Sequence, residues 1–206
     1  ESVLSSSKAL ELRPQYAEAC NTLGNSLREL GKLREAQLAL ERAISLKPSF
    51  AEAYNSLGAL LQELGQFDGA IAKLEKAVQL KGDFAEAHRN LSLLKKYKQD
   101  DEHILQMRDL WFGKGVSEAR RCHLGFGLAK AYEDLSEFEL SFAFLSEANL
   151  IRRKALNYDI SVDKQLFEEI KLTSILLENE AIRIGDETIS SMPIFVCGLP
   201  RSGTTL

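Results

Sequence analysis

Proline is scarce in this sequence: four residues, Pro14, Pro48, Pro193 and Pro200, in 206. So few helix breakers favour a helical protein. Cysteine is scarcer still. Cys20, Cys122 and Cys197 are odd in number and far apart, which excludes a disulfide framework and a sequence-local zinc cluster. Long apolar runs are missing as well. The longest uncharged stretch, Thr188 to Pro200, has 13 residues, against the roughly 20 that a membrane span requires. Positive charge is not in excess: 26 Lys and Arg against 30 Asp and Glu leave a net charge of −4, which argues against nucleic acid as a partner. No secretion signal is visible, so the expected compartment is the cytoplasm. What the chain does have is 45% hydrophobic and 27% charged residues, a balance suited to a buried core in one large domain or two small ones. It starts with Glu1 and stops at Leu206 inside a glycine-rich motif, which reads as a piece of something longer.

A repeat dominates the first half. Ala-Glu-Ala occurs at 17–19, 51–53 and 85–87, spaced by 34 both times. Residues 17–50 laid on 51–84 give 17 identities in 34 positions. Leu23, Gly24, Leu27, Leu30, Gly31, Ala36, Leu40, Ala43 and Leu46 return as Leu57, Gly58, Leu61, Leu64, Gly65, Ala70, Leu74, Ala77 and Leu80. Ala9, Leu12 and Pro14 extend the pattern backwards, so the chain begins on the second helix of a repeat. Helical spacing predicts a first helix over 17–30, with Cys20, Leu23, Leu27 and Leu30 on its apolar stripe. Gly31 suits a left-handed C-terminal cap. A second helix is expected over 33–46, and Pro48 stops it. Gly24 and Ala36 permit close approach within a pair, and Ala43 toward the next. A large side chain at these positions is expected to cost ~1–3 kcal/mol. No pair buries its apolar stripe alone, so neighbours must stack.

The 34-residue period, the Leu-Gly of the first helix and the alanines and proline of the second resemble the tetratricopeptide repeat (TPR) family. The wording Leu-Lys-Pro-x-Phe-Ala-Glu-Ala at 46–53 is similar to the TPR subclass of nucleotide-sugar glycosyltransferases. The resemblance implies an all-α fold, a TPR-type helical-hairpin solenoid wound as a right-handed superhelix. The expected units are a partial repeat 1–16, repeats 17–50 and 51–84, and degenerate repeats 85–116 and 117–155. A first helix is expected over 85–98, with His88, Leu91 and Leu94 on its apolar side, and a second from Asp100 to Phe112. Gly113-Lys114-Gly115 reads as a loop. Leu128, Ala129, Tyr132, Phe138, Ser141, Leu145 and Ala148 keep the internal offsets of a repeat. Arg152-Arg153-Lys154 suits a helix C-terminus. A linker, 156–191, should hold an amphipathic helix from about Asp163 to Glu178, capped by Ser161, with Leu166, Ile170 and Ile175 inward.

By the same resemblance the first helices line a concave groove that grips a protein or peptide. Asn21, Asn25, Arg28, Asn55, Gln62, Arg89 and Lys96 are the exposed first-helix residues that would face it. Amide side chains both donate and accept, which suits contact with a peptide backbone; a merely solvated polar face is the alternative. Glu86 and Asn90 stand where a carboxylate-clamping TPR would need basic residues, so chaperone-tail binding is not expected. Asn90-Leu91-Ser92 matches a glycosylation sequon but falls inside a predicted helix. His88, His103 and His123 have no ligand or triad spacing and read as structural or surface residues. No metal site is expected.

Chemistry is confined to 193–206, Pro-Ile-Phe-Val-Cys-Gly-Leu-Pro-Arg-Ser-Gly-Thr-Thr-Leu. Ile194–Cys197 reads as a short strand that feeds a glycine loop and the start of a helix, the layout of a phosphate cradle. A Walker A loop needs Lys where Thr204 stands, so a nucleoside triphosphatase is disfavoured. The motif resembles the phosphosulfate loop of sulfotransferases that use 3′-phosphoadenosine 5′-phosphosulfate (PAPS), in particular TPR-containing sulfotransferases related to the protein-tyrosine sulfotransferases. That likeness implies that Arg201 contacts the phosphosulfate and that Ser202, Gly203, Thr204 and Thr205 bind the 5′-phosphate. The general base and 3′-phosphate ligands of that family lie downstream of such a loop, so no catalytic residue is assigned. Residues 192–206 would then open a truncated α/β domain, and this chain alone should neither transfer sulfate nor hold PAPS tightly. Its orphan strand should be disordered, tucked against the helices or paired with another chain. A stand-alone TPR adaptor and a nucleotide-regulated TPR protein are the competing readings.

Overall fold

The computed structural model describes residues 2–179. The chain divides into two compact units, 1–158 and 159–206. The described part of the first unit contains nine helices and no strand: α1 Ser2–Leu12, α2 Ala17–Glu29, α3 Leu33–Leu46, α4 Ala51–Glu63, α5 Phe67–Leu80, α6 Ala85–Leu94, α7 Glu102–Phe112, α8 Glu118–Asp134 and α9 Phe138–Ala155. The expected strand Ile194–Cys197 and the phosphate-type loop lie outside the described residues.

The first turns are built as the glycines require. Gly31 and Gly65 have φ of 73° and 72°. At each, two N–H groups fold back onto the helix: Gly31 donates to the Arg28 carbonyl and Lys32 to that of Leu27, both at 2.9 Å. This pattern satisfies carbonyls that the helix end leaves open. Ser136 takes the same conformation after α8, with φ of 63°. Within each hairpin the glycine of the first helix lets a leucine in. A Cβ on Gly24 would stand 2.6 Å from Leu40 Cγ, and one on Gly58 2.6 Å from Leu74 Cγ. Leu40 and Leu74 are fully buried as a result. Ala43 packs among Ala17, Cys20, Phe50 and Ala53 and so joins one repeat to the next. Ion pairs reinforce the joint on the surface: Lys47 to Glu18 and Lys81 to Glu52, each at 2.7 Å. The residue 34 beyond Lys81 is Gly115, so Glu86 has no such lysine.

The third repeat departs from the pattern. Ser92 stands where Gly24 and Gly58 stood, and the fully buried Leu74 position becomes Arg108. α7 accordingly packs against α8 rather than closing a hairpin with α6, and α6 itself packs against α8. Gly127 and Gly125 of α8 receive these neighbours. A Cβ on Gly127 would meet Met107 Sδ at 3.0 Å and Ser92 Oγ at 3.3 Å, and one on Gly125 would meet Trp111 at 2.7 Å. Trp111, Met107, Leu124 and Leu128 form the core of this end.

The expected first helix over 85–98 ends earlier, at Leu94, and the second starts at Glu102 rather than Asp100. The physical reason is a competing set of bonds. Asp134 accepts from the Tyr97 backbone N–H at 3.1 Å, from Lys96 Nζ at 2.8 Å, and from Lys130 Nζ. Lys95 pairs with Asp101 at 2.8 Å, and the Asp101 carboxylate caps α7 through the His103 N–H. Although burial raises it, the hydrogen bonds from Lys130, Lys96 and Tyr97 hold the Asp134 carboxyl below its ordinary value. Asp134→Ala is expected to destabilise the unit by about 2–3 kcal/mol, because it strips partners from two ammonium groups and a backbone donor. Asp134→Asn should lose less. Equal denaturation midpoints for Asp134→Ala and the wild type would show that the loop is docked by other means.

The described part of the second unit is one helix, α10, Ile160–Asn179. It starts before Asp163, and Asp159 rather than Ser161 supplies the cap: Asp159 Oδ1 accepts from the Ser161 N–H at 2.9 Å. Leu166 and Ile170, expected inward, are each 53% exposed. Among the described residues of this unit, α10 has no second helix to bury them against. The side chain of Ile175 lies outside the described residues.

Candidate interaction groove

The first helices α2, α4, α6 and α8 touch one another in succession, while α3 and α5 pack between consecutive first helices. Helices that meet directly lie on the inner side of a curved stack. Their inner face carries a column of residues 34 apart: Asn21, Asn55, Arg89 and His123. The structure therefore brings three of the expected groove residues into one register and adds His123. Its signal in the sequence is the 34-residue offset from Arg89, within a degenerate repeat.

The members of the column are not alike. Asn55 is buried rather than exposed. Its Nδ2 donates to Glu86 Oε1 at 3.2 Å, and its Oδ1 accepts from Asn90 Nδ2 at 2.9 Å. Asn55 thus locks α4 to α6, and Glu86 takes from it the partner that Gly115 cannot supply. Asn21 Oδ1, Arg89 Nε and His123 Nδ1 are buried without a hydrogen-bond partner. The Arg89 guanidinium lies over the Phe126 ring, 5.2 Å from its centroid. Burial, then repulsion by Arg89 and Arg152, holds the His123 imidazole below its ordinary pKa, opposed by the Glu86 carboxylate. Asn25 and Gln62 are half-buried on α2 and α4. Arg28 pairs with Glu63 at 3.6 Å. Lys96 is not on a first helix at all: α6 has ended, and the side chain, 80% exposed, reaches Asp134.

The other two histidines form a buried chain that sequence spacing did not reveal. His88 Nε2 meets the Gly82 carbonyl at 2.8 Å, His88 Nδ1 meets His103 Nε2 at 2.8 Å, and His103 Nδ1 meets the Tyr97 hydroxyl at 2.7 Å. His103 also borders a cleft of about 610 Å³ between α5 and α7, with Val78, Leu91 and Leu110 on its walls. No member of the inner column lines that cleft. Among the described residues no group of His, Cys, Asp or Glu could hold a metal, and no helix is long and apolar enough to cross a membrane.

Family models agree with the geometry. A TPR repeat model matches residues 24–65 and a tetratricopeptide repeat model matches 51–84. Residues 24–84 are TPR repeats, and the first unit is an all-helical TPR-like solenoid. An uncharacterized protein of Aquifex aeolicus (strain VF5) is 31% identical over 114 residues, covering 55% of this chain but only 15% of that protein. The chain therefore spans a small part of that relative. Among solved structures, MamA aligns with 76% of this chain and 90% of its own at 22% identity and a TM-score of 0.52. MamA from Desulfovibrio magneticus RS-1 aligns with 74% of this chain and 84% of its own, at 19% identity and a TM-score of 0.51. These likenesses concern the fold. TPR domains generally bind protein or peptide partners.

Proposed function

We propose that the chain is the partner-recruiting TPR region of a PAPS-dependent sulfotransferase, and that an extended peptide lies along its inner column. The observation that carries the peptide reading is the set of buried, unpartnered polar atoms at one register: Asn21 Oδ1, Arg89 Nε and His123 Nδ1. A buried polar atom without a partner costs roughly 1–3 kcal/mol, and a ligand that pairs it recovers that cost. A peptide backbone offers N–H and C=O groups for such pairing, and Asn25 and Gln62 add further amide contacts.

The sulfotransferase half rests on the wording of 193–206, with Arg201 on the phosphosulfate and Ser202, Gly203, Thr204 and Thr205 on the 5′-phosphate. On this reading the 206 residues are non-catalytic by themselves, and residues 1–155, 156–191 and 192–206 are repeats, linker and the opening of the transferase domain.

Both halves have a test. Asn21→Ala removes a buried acceptor that has no partner in the free protein. It should leave the melting temperature unchanged or higher, while weakening groove-selected peptides about 3–10-fold, the loss of one hydrogen bond. A lower melting temperature with unaltered binding would make Asn21 structural and defeat the groove reading. For the enzyme half, calorimetry on the full-length gene product should show PAPS binding that Arg201→Ala weakens at least tenfold. A full-length product that ignores PAPS is an adaptor, and that half fails.

A further inference from the structure

Cations at the joints between repeats are matched by anions almost throughout the array. Lys47 has Glu18, Lys81 has Glu52, Arg28 has Glu63, Arg120 has Asp83 at 2.8 Å, and Lys96 and Lys130 share Asp134. Arg89 breaks the rule, as does Arg121 on α8, whose Nε is likewise buried without a partner; of the two only Arg89 lies in the inner column. It is half-buried on α6, and among the described residues its guanidinium has no ion pair and no hydrogen bond. Phe126 lies beneath it and fixes its place. His123, at the matching position of α8, has a buried Nδ1 that is equally unpartnered. Glu86 is nearby and its carboxylate favours the charged form of His123, but its hydrogen bond goes to Asn55, and it makes none to Arg89 Nε or His123 Nδ1. The two helices are in direct contact, and Arg89 lies near enough to His123 to disfavour its protonation.

The column therefore changes character along its length. Over α2 and α4 it is amide, Asn21 and Asn55. Over α6 and α8 it is guanidinium and imidazole. Resting on the peptide-groove reading above, we propose that the partner peptide carries an Asp or Glu side chain that docks between Arg89 and His123. A carboxylate has two oxygens. One accepts from the Nε edge of the guanidinium, a charge-assisted bond of the stronger class. The other accepts from His123 Nδ1–H, which the imidazole presents in that tautomer or when protonated. The anion offsets the repulsion between Arg89 and His123, so both buried atoms are satisfied in a single step. Such a side chain orients the peptide as well, because the amide end of the column accepts neutral groups in either direction and the Arg89 end does not.

The test is selection of peptides from a random 12-residue display library on the full 206-residue chain. Enriched peptides should share Asp or Glu at one position, and changing that residue to Asn or Gln should weaken binding at least tenfold. In Arg89→Gln the acidic and amide peptides should bind alike, whereas Asn21→Ala should weaken both equally. Arg89 has no ion pair or hydrogen bond to lose in the free protein, only its stack on Phe126, so Arg89→Gln should melt within a few degrees of the wild type. If it unfolds, His123→Gln serves the same comparison. Arg89→Lys should retain part of the discrimination. Enriched peptides without a shared acid, or discrimination that survives both Arg89→Gln and His123→Gln, would overturn the proposal and leave the groove reading standing. Inorganic sulfate binding to Arg89 with peptides that lack an acid would assign the step to a free anion, which also overturns it. A library that yields no binder removes the groove reading and this one together.

Discussion

Leu74→Ala is expected to destabilise the first unit by about 3–5 kcal/mol, the upper range for a buried leucine truncated to alanine. Leu74 is fully buried, and its Cγ fills the space that a side chain at position 58 would occupy. The surroundings cannot collapse easily into the cavity, because the backbones of α4 and α5 are already close. The complementary change, Gly58→Ala, sets a Cβ 2.6 Å from Leu74 Cγ and 2.9 Å from its Cδ2. Overpacking of that kind costs about 1–3 kcal/mol, partly offset by the ~1 kcal/mol that alanine gains over glycine within a helix. The double variant tests the mechanism. With Leu74 shortened, the Cβ at 58 enters the vacated space, so the double loss should fall below the sum by roughly 1–2 kcal/mol. Urea denaturation of the four proteins checks this. Strictly additive losses would mean that the glycine and the leucine do not share one space. Gly24 and Leu40 form the same pair one repeat earlier and should behave alike.

Acidification from pH 7 to 4.5 is expected to weaken the fold by about 2–3 kcal/mol through the buried histidines, at ~1.4 kcal/mol per unit of pKa displacement. The bond chain fixes the tautomers. The Gly82 carbonyl can only accept, so His88 Nε2 carries the hydrogen. His88 Nδ1 then accepts from His103 Nε2–H, and His103 Nδ1 accepts from the Tyr97 O–H. Each ring is neutral, and one more proton on either sets two donors face to face or drives the Tyr97 hydroxyl from its acceptor. Burial lowers the pKa of both rings. That of His103 falls to about 3, by burial first and then by repulsion from His88 and Lys95, against the pull of Asp101. Burial, then Asp101 and Asp134, pushes the Tyr97 phenol well above its ordinary range, so it remains a donor.

The sign follows. Between about pH 6.5, the unfolded value, and the lower folded values, the unfolded chain binds more protons, so stability falls as pH falls. The carboxylates held low by partners, Glu18, Glu52, Asp101 and Asp134, lose their contribution only as pH drops through the carboxylate range, near 4 and below. The histidines thus own the window above pH 4.5. His103→Gln separates them: its amide can donate to His88 and accept from Tyr97 without titrating. Its stability should vary much less over this window, while a slope equal to that of the wild type would place the acid sensitivity elsewhere.

Two kinds of feature were legible in the amino-acid order. The hairpins of 17–84 followed from a repeat that states every packing choice twice. Gly24 recurs with Leu40 and Gly58 with Leu74, and each turn glycine stands where a left-handed residue is needed. The shared register of Asn21, Asn55 and Arg89 was legible for the same reason, because one period gives one face. Legibility ended where the repeat stopped repeating. The 34-residue offset puts Lys96 on a first helix, because the two earlier repeats are helical there. In this one, Asp134, 37 residues beyond Tyr97, takes the backbone N–H instead. His88 and His103 have no informative spacing, since they and Tyr97 meet only because α6 ends early and α7 begins with its cap at Asp101.

The sequence by itself determined the helical class and the 34-residue unit, since each depends on contacts within a repeat or between adjacent ones. The tertiary structure alone decided that Asn55 is a lock rather than a free contact, that Arg89 lacks the anion its counterparts have, and that two histidines are sealed in one bond chain. Those outcomes depend on which long-range groups arrive first at a donor or a charge. The one-dimensional pattern does not record that competition.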